Sequence, residues 1–200
     1  MPDLSSYRAK FSSLNNCHHL ISNSLGAVPD RALDYAQDYI ETWSRLGVRA
    51  WREWWPLSRE VGDQVGAIIG AAPDTVTMLP NVTSASAVVQ SCFDLVAPRN
   101  KIVMVDMEFP SILYVYQEWA RDHGRVEMIA SEDGVTVSTE KIIDSIDETT
   151  LLVPISHVFF RSSYIIEIEK IIEKAHSVGA YVVLDAFQSV GTVPIDVQKL

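Results

Sequence analysis

The stretch VVLDAFQSVG, at residues 182–191, is a run of aliphatic residues that ends in an acid, Asp185, with Gln188 and Gly191 shortly after it. An ionised carboxylate at the end of an apolar strand is unfavourable unless a cation or a hydrogen-bond donor meets it. The stretch therefore predicts a buried strand whose carboxyl end holds a polar partner for Asp185.

Similar strand and helix patterns precede this stretch along the chain. From about residue 75, short β-branched runs alternate with amphipathic segments, which is typical of repeated βα units and a mainly parallel sheet. The predicted fold class is therefore α/β, a mainly parallel sheet flanked by helices. We predict strands at 75–79, 101–106, 125–130, 150–156 and 181–186, and helices at 83–97, 110–123, 139–147 and 165–178.

The N-terminal part of the chain has a different pattern. We predict an irregular arm over 1–28, a helix over about 29–46 that ends at Gly47, and a second helix near 58–69. Glycines recur every four residues in the second helix, which indicates close packing against another helix. We expect one domain over 1–57, the arm and first helix, and an α/β domain over 58–200.

Composition disfavours several classes of partner and site. The formal net charge is -10 without a dense Lys/Arg stripe, which argues against nucleic acid and anionic membranes. We see no apolar run typical of a membrane span or a secretory signal, and the two cysteines form no disulfide framework. The histidines lack metal-ligand spacing. We expect a cytoplasmic protein without a metal, a nucleic acid or a membrane partner.

Candidate ligand-binding residues follow the predicted strands, because ligands of open parallel sheets bind beyond the carboxyl ends of the strands. The segment PNVTSA (80–85) precedes a helix whose N–H groups and dipole favour an anion such as phosphate. Simple N-capping by Thr83 or Ser84 explains the same residues. Phe109 is placed either to stack on a flat ring or to fill a hydrophobic gap.

Ser156 and His157 complete this set after strand 150–156, although a hydrogen-bonded structural histidine is the better explanation of His157. A ligand that touches the anion-binding turn, Phe109, this pair and Asp185 would be a flat, phosphorylated heteroaromatic with a basic ring nitrogen. Pyridoxal phosphate has these features.

The motifs resemble the class V aminotransferase family of fold type I pyridoxal-phosphate enzymes, and within it the kynureninase-like branch. The resemblance covers nearly the whole chain, through NSLGAVP (23–29), GVRAWREWW (47–55), PNVTSA (80–85), EFPS (108–111), SHV (156–158) and HSVGAYVVLDAFQSVGTVPIDV (176–197). It implies pyridoxal 5'-phosphate as cofactor, an amino acid substrate and a homodimer. Residues 58–200 would be an incomplete cofactor-binding large domain, without its C-terminal part and the small domain.

The resemblance also implies roles for individual residues. These are phosphate contacts from Val82 and Thr83, stacking of Phe109 on the pyridine ring, a position near the cofactor for Ser156, pairing of Asp185 with the pyridinium nitrogen, and a hydrogen bond from Gln188 to the ring hydroxyl. The pyridinium N–H would thus be the partner that Asp185 requires. This pairing would make the cofactor an electron sink for a carbanion at the substrate's α-carbon.

Departures from the family pattern leave the reaction open. Kynureninases resemble FPTD at the aromatic motif and carry a His after the strand-end acid, whereas this chain has Ile112 and Gln188, which favours aminotransferases and desulfurases. The NSLG opening and the tryptophans of GVRAWREWW favour kynureninases. Arg161 stands where relatives more often have a Gly-rich turn.

The Schiff-base lysine of the family lies beyond a segment that resembles PIDVQKL (194–200), so we expect it past Leu200 and no catalytic residue in this chain. The parent enzyme would transaminate an amino acid or eliminate its side chain through an external aldimine, and this form would be catalytically incomplete. The alternatives are a kynureninase-type C–C hydrolase, a non-catalytic binding or dimerisation module and, last, a nucleotide-binding domain, which would need a glycine fingerprint.

Overall fold

A computed structural model of the protein describes residues 4–200, and the chain divides into two compact units, one ending at Glu60 and the other spanning Val61–Leu200. The first unit contains short 3-10 helices at Ser5–Lys10, Ser12–Asn15 and Gly47–Ala50, helix α1 (Ala32–Leu46), and the start of helix α2 (Trp51–Ile69). Helix α1 ends at Gly47, which has φ 55°. Both predicted N-terminal helices are present.

Helix α2 starts earlier than predicted, at Trp51, and Pro56 lies inside it. Pro56 has no N–H for the carbonyl one turn before it, which weakens the helix there. Aromatic contacts support this turn: Trp51 stacks on Trp55 with ring centroids 5.3 Å apart, and Trp54 stacks on Tyr39 at 4.7 Å. Such pairs stabilise a fold by about 1 kcal/mol beyond the burial of their surface.

The second unit contains four parallel strands in the order β2-β1-β3-β4. Its elements are α3 (Val82–Gln90), β1 (Lys101–Val105), α4 (Pro110–Ala120), β2 (Arg125–Ile129), α5 (Thr139–Asp144), β3 (Thr150–Ser156), α6 (Ile168–Ser177) and β4 (Tyr181–Asp185). The prediction of an α/β fold with a mainly parallel sheet flanked by helices is confirmed. Within residues 4–200, no helix is long and apolar enough to cross a membrane.

Strand β1 is buried on both faces, which explains its unbroken apolar sequence. Ile102 and Met104 pack in one cluster with side chains of α4, whereas Val103 and Val105 pack in a second cluster with side chains of α5 and α6. Because side chains alternate along a strand, the two clusters lie on opposite faces of the sheet. The helices of the unit therefore cover both faces and leave the strand ends open.

The predicted strand at 75–79 is wrong, since this segment forms no regular element. It runs against helix α2 instead of joining the sheet, and a Cβ atom built on Gly62 would lie only 2.4 Å from the carbonyl oxygen of Val76. Gly66 faces the side chain of the same valine. These two glycines therefore allow an extended segment, rather than another helix, to pack closely against α2.

The strand order defines where a ligand site is expected. Strand β2 lies on one side of β1 and β3 on the other, so the direction of the connections changes between β1 and β3. Crevices form at such a switch point, beyond the carboxyl ends of the two strands. The segment after β1 and the end of β3 meet there.

Candidate functional site

Asp185 and Ser156 are the last residues of β4 and β3, and they are partners in the parallel register. The Asp185 carbonyl accepts the His157 N–H at 2.9 Å, and its Oδ1 accepts the Phe187 N–H at 2.9 Å. The second bond closes a turn directly after the strand. This turn holds the half-buried carboxylate at the carboxyl end of the sheet.

Glu108, which follows β1, is a second acid at this site that the sequence reasoning missed. Its side chain is 2% exposed, and Ser156 donates its N–H to Oε1 at 2.9 Å and its hydroxyl to Oε2 at 2.5 Å. Burial raises the pKa of Glu108 to about 7, the Ser156 bonds oppose this rise, and the negative charge of Asp185 adds to it. The Glu108–Ser156 pair thus joins the ends of β1 and β3 at the switch point.

The two carboxylates lack a cationic partner. No Lys, Arg or His within residues 4–200 forms an ion pair with Glu108 or Asp185. The same part of the chain holds no group of three or more His, Cys, Asp or Glu side chains suited to a metal ion. Since adjacent acids in a poorly solvated place favour a nearby positive charge, this end of the sheet suits a cationic ligand.

A cavity of about 310 Å³ lies beside Asp185. Most of its lining is apolar, including Val82 at the start of α3, and its polar groups come from Ser86, Tyr116 and Asp185. The Tyr116 hydroxyl is fully buried and has no hydrogen bond of good geometry within the described residues, although the nearby Ser86 side chain opposes the rise in pKa that burial causes. A polar ligand or a water beside Ser86 would complete the bonding of this hydroxyl.

The first turn of helix α3 presents free backbone donors near this cavity. Asn81 is the N-cap residue: its side chain accepts the Ser84 N–H at 2.9 Å, and its carbonyl accepts the Ala85 N–H at 3.1 Å. The expected alternative, capping by Thr83 or Ser84, is therefore wrong. The N–H groups of Val82 and Thr83 remain available at the positive end of the helix.

The side chains of the two predicted phosphate-binding residues face different spaces. Val82 lines the same cavity as Asp185, whereas the Thr83 side chain lines a separate cavity of about 830 Å³ with Ser111 and Tyr114. Val82 and Asp185 are predicted to contact opposite ends of the ligand, the phosphate and the ring nitrogen, and they line the same cavity. Thr83 borders the Asp185 cavity only through its neighbour Val82, so a phosphate contact from the Thr83 backbone stays a prediction.

The remaining predicted residues lie at the carboxyl ends of the strands or on the loops that follow them. Phe109 stands just before Pro110 at the start of α4, is 45% exposed, and meets the ring of Phe160 edge-on with centroids 5.2 Å apart. The Arg161 guanidinium lies over the Phe160 ring at 5.3 Å. Gln188 lies in the turn after β4. The hydroxyl of Ser156, predicted to lie near a cofactor, is bonded to Glu108.

Comparison with known proteins now identifies the family. The family model for class-V aminotransferases matches residues 20–200. The chain belongs to the class V aminotransferase family. The predicted family resemblance is thereby confirmed.

The curated relatives of this class V chain include kynureninases and an aminotransferase. The kynureninase of Geobacillus thermodenitrificans is 28% identical over 198 residues, which cover 94% of this chain and 46% of that protein. The uncharacterized aminotransferase YcbU of Bacillus subtilis is 31% identical over 193 residues, which cover 96% of this chain and 51% of that protein. The chain spans about half the length of these relatives.

Solved structures share the fold of this class V chain. C-DES, in a mutant form with glycine covalently linked to its PLP cofactor, matches with a TM-score of 0.85 at 21% identity, covering 100% of this chain and 53% of that one. The apo cysteine desulfurase of Thermococcus onnurineus NA1 matches with a TM-score of 0.80 at 22% identity, covering 100% of this chain and 51% of that one. At these identities the matches establish the fold.

Proposed function

We propose that this class V chain is the N-terminal portion of a pyridoxal-phosphate enzyme and binds the cofactor beyond the carboxyl ends of β1, β3 and β4. The observation that carries this proposal is the charge imbalance there: Glu108 is buried beside Asp185, and neither has a cation within the described residues. A protonated pyridine nitrogen supplies the missing positive charge.

The donors and acceptors of the site fit both ends of such a cofactor. Asp185 would accept the ring N–H, and the N–H groups of Val82 and Thr83 at the start of α3 would bind the phosphate. Phe109 would cover the ring face, and Gln188 would hydrogen-bond the ring hydroxyl. When bound, pyridoxal phosphate supplies an electron sink for negative charge that develops at the α-carbon of an amino acid.

The proposed reaction is the transformation of an amino acid, by transamination or by elimination of its side chain. We place the lysine that bonds the cofactor outside residues 1–200, so that this portion alone is catalytically incomplete. Lys199 is unsuited to that role, because it is 80% exposed and pairs with Asp196 at 2.7 Å. A homodimer is proposed on the basis of the family resemblance.

A kynureninase-type hydrolysis of a C–C bond is the second candidate reaction, favoured by the kynureninase relatives. Ile112 and Gln188 differ from the kynureninase pattern and favour the first candidate. Product analysis of the longest available form of the protein distinguishes the two. Release of an amino acid and an aromatic acid from kynurenine supports hydrolysis, and conversion of an amino acid to a keto acid supports transamination.

Titration with pyridoxal phosphate, followed by the absorbance of the cofactor, tests the proposed function. Replacing Asp185 by Ala or Asn should weaken binding about a hundredfold, because the ring N–H loses its charged partner. Asp144→Asn, which removes an exposed carboxylate on α5, is the matched control and should leave the affinity unchanged. Equal affinity in the wild type and both Asp185 variants would overturn the assignment.

A further inference from the structure

The proposed function assigns no cofactor contact to Glu108, although it is the most deeply buried acid of the site. Its carboxylate is 2% exposed and both of its oxygens are held by Ser156, at 2.9 Å and 2.5 Å. Ser156 is in turn the register partner of Asp185. Glu108 is therefore connected through Ser156 to the residue that is proposed to hold the cofactor, and the negative charges of Glu108 and Asp185 act on each other.

We propose that Glu108 is a positioning residue that acts on the cofactor through Asp185: its ionised carboxylate adds a second negative charge near Asp185 and would strengthen the binding of a protonated ring nitrogen. This inference rests on the proposed function. It assigns to Ser156 the task of holding the Glu108 carboxylate in place, rather than that of a direct cofactor contact.

The charged surroundings of Glu108 support this role. Asp185 is the charged side chain within the described residues that acts on Glu108, and the hydroxyl of Tyr116 on α4 is exposed to the field of the same aspartate. No cation within the described part of the chain compensates either acid. The negative potential at Asp185 therefore increases when Glu108 ionises.

A purely structural role for Glu108, as a link between the ends of β1 and β3, makes a different prediction. The gain in ligand affinity from ionised Glu108 depends on a positive charge in the ligand. A structural link would instead support the affinity for any ligand of the same shape. A cofactor analogue whose ring nitrogen is replaced by a C–H group separates the two roles. The Glu108→Gln variant keeps the size and one acceptor of the side chain while removing its charge.

The experiment measures the affinity of the wild type and Glu108→Gln for pyridoxal phosphate and for its 1-deaza analogue at pH 8. We expect Glu108→Gln to weaken binding of pyridoxal phosphate about tenfold, consistent with one nearby charge at moderate dielectric, and to leave the affinity for the analogue unchanged. Equal weakening of both ligands, or of neither, overturns the inference while leaving the proposed function intact.

The wild type provides a second test that is independent of how well the variant folds. Its preference for pyridoxal phosphate over the 1-deaza analogue should rise about fivefold between pH 6 and 8, as Glu108 ionises with its pKa of about 7. A preference that stays flat across this interval contradicts the inference. A wild type that binds neither ligand refutes the proposed function, and the inference with it.

Discussion

The two ends of the sheet carry opposite kinds of buried charge. At the amino end, the Lys101 side chain is 2% exposed and meets Asp147 at 2.7 Å, Glu127 at 3.3 Å and the Ser145 carbonyl at 2.6 Å. At the carboxyl end, Glu108 and Asp185 lie near each other without a cation from the described residues. At the amino end, the charge of Lys101 is balanced by acids of the chain itself. At the carboxyl end, where we place a ligand, the two acids have no cation from the described residues.

The pKa values of Asp147, at the amino end, and Glu108, at the carboxyl end, are shifted in opposite directions. The Lys101 ammonium and the Thr149 hydroxyl and N–H hold the pKa of Asp147 below its usual range. Burial raises the pKa of Glu108, despite its two bonds from Ser156. A buried acid with a raised pKa in a crevice is typical of a functional site, whereas a paired acid with a lowered pKa is typical of a structural ion pair.

The largest effect on stability is expected at the amino end. Asp147→Ala should lower the free energy of unfolding by about 4 kcal/mol, because the buried Lys101 loses its nearest acid and Thr149 loses an acceptor. Urea denaturation at pH 7 measures this change.

Two variants refine this prediction. Asp147→Asn keeps an acceptor for Thr149 and should show the loss of the ion pair alone. Lys101→Met should be milder than Asp147→Ala, since Asp147 and Glu127 are 47% and 40% exposed and regain water. An effect of Lys101→Met larger than that of Asp147→Ala would contradict the description of this end as a neutralised pair.

The opposite sign is expected at the carboxyl end in the absence of a ligand. The native pKa of Glu108, about 7, exceeds the ordinary value of 4.5, so the native state binds more protons than the unfolded state between these pH values. The contribution of Glu108 to stability is therefore full below pH 4.5 and declines as the pH rises through 7. Glu108→Gln should stabilise the protein by about 3 kcal/mol at pH 8.

Paired urea denaturation of the wild type and Glu108→Gln at pH 4.5 and pH 8 checks the sign. We expect nearly equal stability at pH 4.5, where Glu108 is protonated in the folded chain and half protonated in the unfolded chain, and a clear advantage of the variant at pH 8. A variant that is less stable at both pH values would show that the charge of Glu108 stabilises the fold, which would break the contrast between the two ends.

The sheet could be predicted from the sequence because its central strands, β1 and β3, are buried on both faces and amphipathic helices separate the strands. The predicted strand at 75–79 failed for a tertiary reason: its β-branched residues pack against the glycines of α2, and their pattern alone does not reveal a partner outside the sheet. The early start of α2 was not predicted because proline is unfavourable inside a helix, and the aromatic pairs that support the turn before Pro56 form only after folding.

The site was predictable where a side chain follows a strand directly. Asp185 attracted notice because its acid ends an aliphatic run. Glu108 also lies just beyond a strand, β1, but a ligand contact was predicted for its neighbour Phe109 instead. Only the folded chain shows that Ser156 donates hydrogen bonds to Glu108. The capping of α3 by Asn81 was likewise not predicted, because the nearby Thr83 and Ser84 also favour helix starts.

The central claim is that Asp185 faces a protonated ring nitrogen, and nitrogen-15 NMR of pyridoxal phosphate labelled at that nitrogen tests it most directly. In the wild type, the bound cofactor should show the chemical shift of a pyridinium between pH 6 and pH 8. In Asp185→Asn, any bound cofactor should show the shift of a neutral pyridine at the upper end of that range. A neutral ring nitrogen in the wild type, or the same pyridinium shift in both proteins at pH 8, would contradict the account.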